Sequence, residues 1–236
     1  MNQRLDEQVM VVTGAFGALG RAVVHAALGE GARVALVDIA QVPPADVAGL
    51  DPSKICVLNA VDLSANAMAQ AAMLAVHARF GRIDALINVA GGFRWQTVQE
   101  GDLATWESLY RVNVASTLNA SVAALQYLRR SKAGRIVNVG AAAAIKSAAG
   151  MGAYAASKAA VHRLTESLAD ELKAEGITVN AVLPSVIDTP ANRREMPDAD
   201  RAGWVDPAAL AAVILFLASP VASAITGALI PVTGRS

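Results

Sequence analysis

Residues 140–158 read GAAAAIKSAAGMGAYAASK. Tyr154 and Lys158 stand four apart in a stretch of helical character, a spacing that sets both side chains on one face. A phenol beside an ammonium is a proton-transfer pair. Such a pair ordinarily has a third polar group upstream, which holds the substrate's oxygen. Here the upstream stretch is a run of alanines, and Ser147, seven residues before Tyr154, is the hydroxyl that could stand in as a displaced helper.

A second constellation lies near the start of the chain. Thr13 to Gly20 read TGAFGALG, directly after the strand-like run that begins at Val9. A strand, a glycine-rich turn and a helix start make a cradle for a dinucleotide. Glycines let the backbone approach the pyrophosphate, and the helix N-terminus supplies N–H groups and positive dipole. Asp38 ends the next strand, 18 residues after Gly20. A carboxylate there accepts hydrogen bonds from an adenosine ribose and repels a 2′-phosphate. Ile39, Ala40 and Gln41 follow it, with no arginine, so the expected cofactor is NAD(H) in preference to NADP(H). The bland reading of Asp38 is a turn cap.

The elements that must position these groups alternate along the chain. Strand candidates are VMVVTG, RVALVD, KICVLNAVD, IDALINVAG, GRIVNVG, GITVNAVLP and ALIPV. Several are continuous apolar runs, as in a parallel sheet buried on both faces. Helical candidates between them are Leu19–Leu28, Asn66–Phe80, a long one through Trp106–Leu128, Gly152–Lys173 and Pro207–Leu217. The expected fold is α/β: a single domain over residues 1–236, built as a Rossmann-type doubly wound parallel sheet of about seven strands with helices on both faces. Residues 185–205, rich in Pro, Asp and Arg, are expected to form a lid over a pocket.

Composition narrows the function classes. Hydrophobic residues make up 54% and charged residues 17%, enough apolar material for a sizeable core. Twenty basic and twenty acidic residues balance, and no basic stripe marks a nucleic-acid surface. The longest apolar run, AALAAVILFLA from Ala208, has 11 residues, too short to span a bilayer. The leading MNQRLDEQ lacks the apolar region of a signal peptide. A cytoplasmic protein without membrane or nucleic-acid partners is the expectation. The single cysteine, Cys56, sits in an apolar stretch and reads as core packing. His25, His77 and His162 show no metal-like spacing and read as packing or surface groups, so no metal site is expected.

The ordered set Thr13-Gly14 to Gly20, Asp38, Asp62-Leu63, Asn88-Val-Ala-Gly91, Asn113, Tyr154-x-x-x-Lys158 and Asn180-Ala-Val-Leu-Pro184 resembles the short-chain dehydrogenase/reductase family over nearly the whole chain. The resemblance implies a nicotinamide cofactor and a small-molecule substrate. It implies Tyr154, Lys158 and Asn113 as catalytic residues, Asn113 holding a water in a proton relay. The cofactor would be bound by Gly14, Phe16, Gly17, Ala18, Leu19, Gly20, Asp38, Asp62, Leu63, Asn88, Ala90 and Gly91, with Tyr154 and Lys158. Pro184, Ile187 and Thr189 would flank the nicotinamide. Helices equivalent to those through residues 106–128 and 152–173 pair subunits in the family, which implies a homodimer or homotetramer.

Three departures stand out. Ala18 replaces a usual glycine, Ser185 follows Pro184 where the family has glycine, and the family's catalytic serine, thirteen residues before the tyrosine, falls on Ala141. These departures are similar to those of the dihydropteridine reductase-like branch. So are Gly17-Ala-Leu-Gly20, Val89-Ala-Gly-Gly92, Gly150-Met151, Asp188-Thr-Pro190, Asn192-Arg193, Met196-Pro197 and Trp204. That branch implies reduction of a quinonoid dihydropteridine by NADH. A general carbonyl or 3-oxoacyl thioester reductase is the main rival, and a non-catalytic dinucleotide-sensing protein is a third reading. Phe93, Arg94 and Trp95 are candidates for a stacking wall with a cation, and Trp204 for closing the pocket. Asn192 and Arg193 either contact substrate or cap a lid helix.

Overall fold

The computed structural model describes residues 5–131 and 133–235. The first four residues of the polar leading segment lie outside the described residues.

Seven strands form one parallel sheet in the order β3-β2-β1-β4-β5-β6-β7. They are β1 (Val9–Thr13), β2 (Arg33–Val37), β3 (Ile55–Leu58), β4 (Ala85–Asn88), β5 (Arg135–Val139), β6 (Thr178–Pro184) and β7 (Leu229–Val232). Every residue of β1, β4, β5 and β6 is buried, as their continuous apolar runs require of strands covered on both faces. On one face α1 (Ala18–Gly29) and α8 (Pro207–Ala218) pack over Met10, Val12, Ile87, Val137 and Val182. On the other, α3 (Asn66–Phe80), α5 (Ser116–Leu128) and α6 (Gly152–Leu172) cover Val9, Val11, Leu86, Ile136 and Val179. Short helices α2 (Ala45–Ala48), α4 (Leu103–Tyr110) and α7 (Pro190–Glu195) complete the set.

Strand order reverses between β1, which leads outward to β2, and β4, which leads to β5. That topological switch opens a crevice at the carboxyl ends of the strands. Two glycines let the chain close up there. Gly14 has φ +61°, and a β-carbon on it would fall 2.8 Å from Ala90 Cα. One on Gly20 would fall 2.1 Å from the Gly14 carbonyl oxygen. The usual glycine at residue 18 is dispensable by comparison, since Ala18 simply opens α1.

The long helix expected through Trp106–Leu128 is instead α4 and α5 joined by a π-helical turn over Arg111–Ala115. Such turns cost hydrogen-bond geometry and cluster at functional sites; this one carries Asn113. The segment 185–205, expected to be irregular, contains α7, capped by the Thr189 hydroxyl on the Asn192 N–H with Pro190 at its first position.

A buried polar chain ties the sheet to its helices. Asn88 donates to Asn138 Oδ1 (2.9 Å) and to Ser121 Oγ on α5 (3.2 Å), and Asn138 donates to Thr165 Oγ1 on α6 (2.9 Å). Asn138→Ala would leave one Asn88 N–H without its acceptor and take from Thr165 Oγ1 the bond it accepts, and an orphaned buried polar group costs about 1–3 kcal/mol. Urea unfolding should therefore show a loss of about 3 kcal/mol; a loss near zero would mean that the chain is not a structural tie.

Candidate active site

The crevice is a cleft of about 910 Å³. Gly14, Gly17, Ala18, Leu19 and Gly20 line one wall, with Asp38, Asp62, Leu63, Ala90, Gly91 and Thr189 around the rest. Helix α1 begins at Ala18 with no side chain capping it, so its first N–H groups face the cleft unclaimed, the arrangement that receives an anion. Asp38, at the end of β2, accepts hydrogen bonds from the Phe16 N–H (2.8 Å) and the Ala40 N–H (2.9 Å), one on each oxygen. It is thus a turn cap and also a cleft residue, and each carboxylate oxygen keeps a lone pair for a ribose hydroxyl. Asp62 is held below the ordinary carboxylate range by hydrogen bonds from Ser64 and by the Arg111 charge.

Not every expected cofactor residue presents a side chain to that cleft. Asn88 is buried behind it in the polar chain, with its Oδ1 unpartnered. Phe16 and Ile187 pack on the core of the α1–α8 face. Pro184 closes β6, and Ile187 bridges in parallel to Val205. In the lid segment, Asn192 donates to the Ile187 carbonyl and Arg193 forms a two-armed ion pair with Asp188 (2.6 and 2.7 Å). Both residues therefore brace α7 and its approach; their side chains are spent on capping.

The candidate catalytic residues sit beyond Gly91. A β-carbon on Gly91 would lie 3.2 Å from Lys158 Nζ and 2.7 Å from Asn113 Oδ1, so both groups crowd behind that backbone. Asn113 is locked: its Oδ1 accepts from the Gly92 N–H, and its amide donates to the Gly92 carbonyl and to Ser157 Oγ. Ser157 in turn donates to the Tyr154 carbonyl (2.8 Å), which couples the π-helical turn to the first turns of α6. One lone pair of Asn113 Oδ1 remains for a water. Ser157, three residues after Tyr154, was legible by that spacing but carried no signal of its role.

Lys158 is buried and donates to the Val139 carbonyl (2.7 Å). Burial pulls its pKa down to about 8, which leaves it largely charged at neutral pH. Burial pushes Tyr154 up to about 12. The phenol is therefore a protonated acid at neutral pH. Among the described residues Tyr154 Oη has no hydrogen-bond partner, so the proton is free to meet a ligand. Phe93 stands edge-on to its ring, centroids 5.0 Å apart at 85°.

Ala141 is buried where the family's serine would stand, and its N–H donates to His162 Nε2 (3.3 Å). Ser147 does not replace it: the residue is exposed and its hydroxyl turns to the Ala148 carbonyl. His162 was read as packing and is indeed enclosed, with no room for a β-carbon on Gly140 beside its ring. Burial first, then the charges of Arg163 and Lys158, pull its pKa down to about 4. Among the described residues no group of three His, Cys, Asp or Glu could hold a metal ion, and no helix is long and apolar enough to cross a membrane.

Between pH 6.5 and about 4 the unfolded chain takes up a proton on residue 162 that the fold refuses. Stability contributed by the neutral imidazole is present above 6.5 and is lost as pH falls through this window. Thermal unfolding of His162→Leu against the parent should show a flatter pH dependence there, by on the order of 2 kcal/mol across the window. Parallel curves would refute a buried neutral imidazole.

The sequence profile described as short chain dehydrogenase matches residues 8–200. The 2-(S)-hydroxypropyl-CoM dehydrogenase 3 of Xanthobacter autotrophicus is 31% identical, over 99% of this chain and 98% of its own length. The 3-oxoacyl-(acyl-carrier-protein) reductase of Vibrio cholerae is 32% identical, over 98% and 97%. A solved short-chain dehydrogenase/reductase of glucose/ribitol dehydrogenase type from Brucella melitensis superposes with a TM-score of 0.86 at 29% identity, covering 97% of this chain and 96% of that one. With the glycine cradle at the switch point and the Asn113, Tyr154 and Lys158 cluster beside it, this chain is an oxidoreductase of the short-chain dehydrogenase/reductase family.

Proposed function

We propose that the chain reduces a small cyclic substrate with NADH, and that a quinonoid dihydropteridine is the substrate the site suits best. The observation that carries this reading is Ala141. Its methyl group is buried where a second donor to the substrate's oxygen would stand, and its N–H is committed to His162. In ketone reduction an oxygen gains negative charge as hydride arrives, and loss of one oxyanion donor costs on the order of 10²–10³ in rate. A quinonoid heterocycle is electron-poor and accepts hydride readily, while the proton goes to a ring heteroatom. A single acid then suffices.

A bound nicotinamide cofactor supplies the hydride, and the residues of the cleft fit one. Asp38 at the far end favours a ribose diol over a 2′-phosphate, and the open start of α1 suits a pyrophosphate. Lys158 uses one of its donors on Val139 and has others to offer a ribose hydroxyl. Tyr154 holds the proton at Oη and gives it to the substrate. Asn113, fixed by Gly92 and Ser157, keeps the backbone around the phenol in place for reprotonation from solvent.

The carbonyl or 3-oxoacyl reductase reading draws on the names of the relatives, whose substrates are hydroxy or oxo compounds. NADH oxidation against quinonoid dihydropterin, simple ketones and 3-oxoacyl thioesters separates the two. The pterin should be turned over fastest. Tyr154→Phe should lose at least about a hundredfold in kcat, the lower end of the range for a general acid, while retaining NADH affinity. Ala141→Ser should raise ketone turnover relative to pterin turnover; an unchanged ratio would defeat the reading.

A homo-oligomer belongs to the same proposal. Trp106, Tyr110 and Val122 expose apolar surface on α4 and α5. Trp106 and Tyr110 border an apolar recess of about 630 Å³ with Ala153, Ala156 and Ala160 of α6. Contiguous apolar faces of this kind mark association surfaces. Light scattering should give a dimer or tetramer, and Tyr110→Glu should shift it toward monomer.

A further inference from the structure

The two loops that flank Tyr154 are clasped by a contact that only glycine permits. A β-carbon on Gly150 would fall 2.1 Å from both Nε1 and Cε2 of Trp95, and Gly150 has φ +74°, where an L side chain is strained in any case. The backbones are stitched at the same point, the Gln96 N–H donating to the Gly150 carbonyl (2.9 Å). The β4–α4 loop thus lies on the β5–α6 loop just ahead of the turn that carries Tyr154.

Packing alone does not account for this indole. A tryptophan used as core filling would be enclosed, yet Trp95 is 59% exposed and Phe93 beside it 46% exposed. Phe93 stands against the Tyr154 ring, and Trp95 stands two residues further along the same loop. Phe93 touches the proton donor, Trp95 is seated on Gly150 four residues ahead of it, and both leave aromatic surface open to solvent, where a flat ligand can stack.

We infer that Trp95, seated on Gly150, is a specificity-determining residue, a wall that selects flat conjugated rings over aliphatic oxo compounds at the Tyr154 site. This rests on the reading of that site as the place of hydride transfer. Phe93 extends the wall to the phenol, and Gly150 is the positioning residue that sets the height of the indole. A flat ring gains stacking area there; an aliphatic chain gains little beyond ordinary apolar contact.

The test uses full-length protein and three probes: a quinonoid dihydropterin, a naphthoquinone and acetoacetyl-CoA. Trp95→Leu should raise KM for both flat substrates about tenfold, with kcat, the NADH dissociation constant and KM for acetoacetyl-CoA near parent values. Trp95→Phe should recover most of the loss, and Gly150→Ala, which displaces the indole, should reproduce it. Equal effects on all three substrates, or none, would overturn the wall while leaving the oxidoreductase reading intact. A parent enzyme that reduces only acetoacetyl-CoA would overturn it as well. A parent that binds NADH yet reduces none of the three would sink the hydride-transfer reading instead. The wall is then judged by quenching of tryptophan fluorescence by the pterin, which must occur in the parent and be much weaker in Trp95→Leu, where only Trp106 and Trp204 remain; quenching absent from the parent, or undiminished in the variant, refutes it.

Discussion

The arrangement of the site turns on a buried ammonium that, among the described residues, has no carboxylate paired with it. Lys158 is 5% exposed, and its hydrogen bond goes to the carbonyl of Val139, a neutral acceptor. A cation in that position is costly, which is why its pKa falls to about 8. The fold tolerates the cost because several elements enforce the placement. Helix α6 supplies the lysine, β5 supplies the carbonyl, and the backbone after β4 passes so close at Gly91 that no side chain fits between. Spare donors on a buried cation have one chemical use, to receive oxygen atoms of a ligand.

The same closeness organises the dinucleotide end. Gly14, Gly20 and Ala90 bring β1, the start of α1 and the end of β4 within contact of one another, and Thr13 Oγ1 accepts the Ala90 N–H at 3.0 Å. The switch point is therefore a rigid corner rather than a loose gap between strands. Behind it Asn88, Asn138 and Thr165 are linked by hydrogen bonds, with Asn88 Oδ1 alone of that chain left unpartnered, so that the sheet keeps its geometry while its carboxyl edge stays open. Asn88 shows the division of labour. Its sequence position beside Val89, Ala90 and Gly91 suggested a lining residue, and its side chain instead anchors the strand whose end does the lining.

Legibility followed the physics of each signal. Strands buried on both faces and helices such as Asn66–Phe80 stood out because burial writes long periodic or continuous apolar runs. The cradle and the Tyr154–Lys158 pair stood out because few residue types can fill them. The π-helical turn at Arg111–Ala115 left no trace, since its sequence is as helical as its neighbours and the extra residue per turn is a tertiary outcome. Helix α7 was offered only as one of two readings of Asn192 and Arg193, its start signal at Thr189-Pro190 being set among prolines and charges. The environment of Tyr154 could not be read at all. Spacing places Lys158 on its face, but the balance between a nearby cation and desolvation depends on depth, and depth won.

Ala141 and His162 belong to one substitution in physical terms. A serine at residue 141 would offer a hydroxyl to the cleft. The alanine offers none, and the imidazole behind it takes up the Ala141 N–H, so that group is not available to a ligand either. The neutral state of His162 matters to that arrangement, since a protonated ring could not accept this bond and would add a second buried cation beside Lys158. The acid side of the reaction thus falls to Tyr154 alone, a phenol kept protonated by its own burial. Under the proposed reading, a site with one proton donor and no second oxyanion donor is matched to substrates whose electron deficiency is built into the ring, and binding such a ring requires surface against which a flat π-system can lie. Phe93 stands edge-on to the phenol ring and Trp95 is seated on Gly150 four residues ahead of it, so under the proposed reading the missing hydroxyl and the glycine-held indole serve one class of ligand.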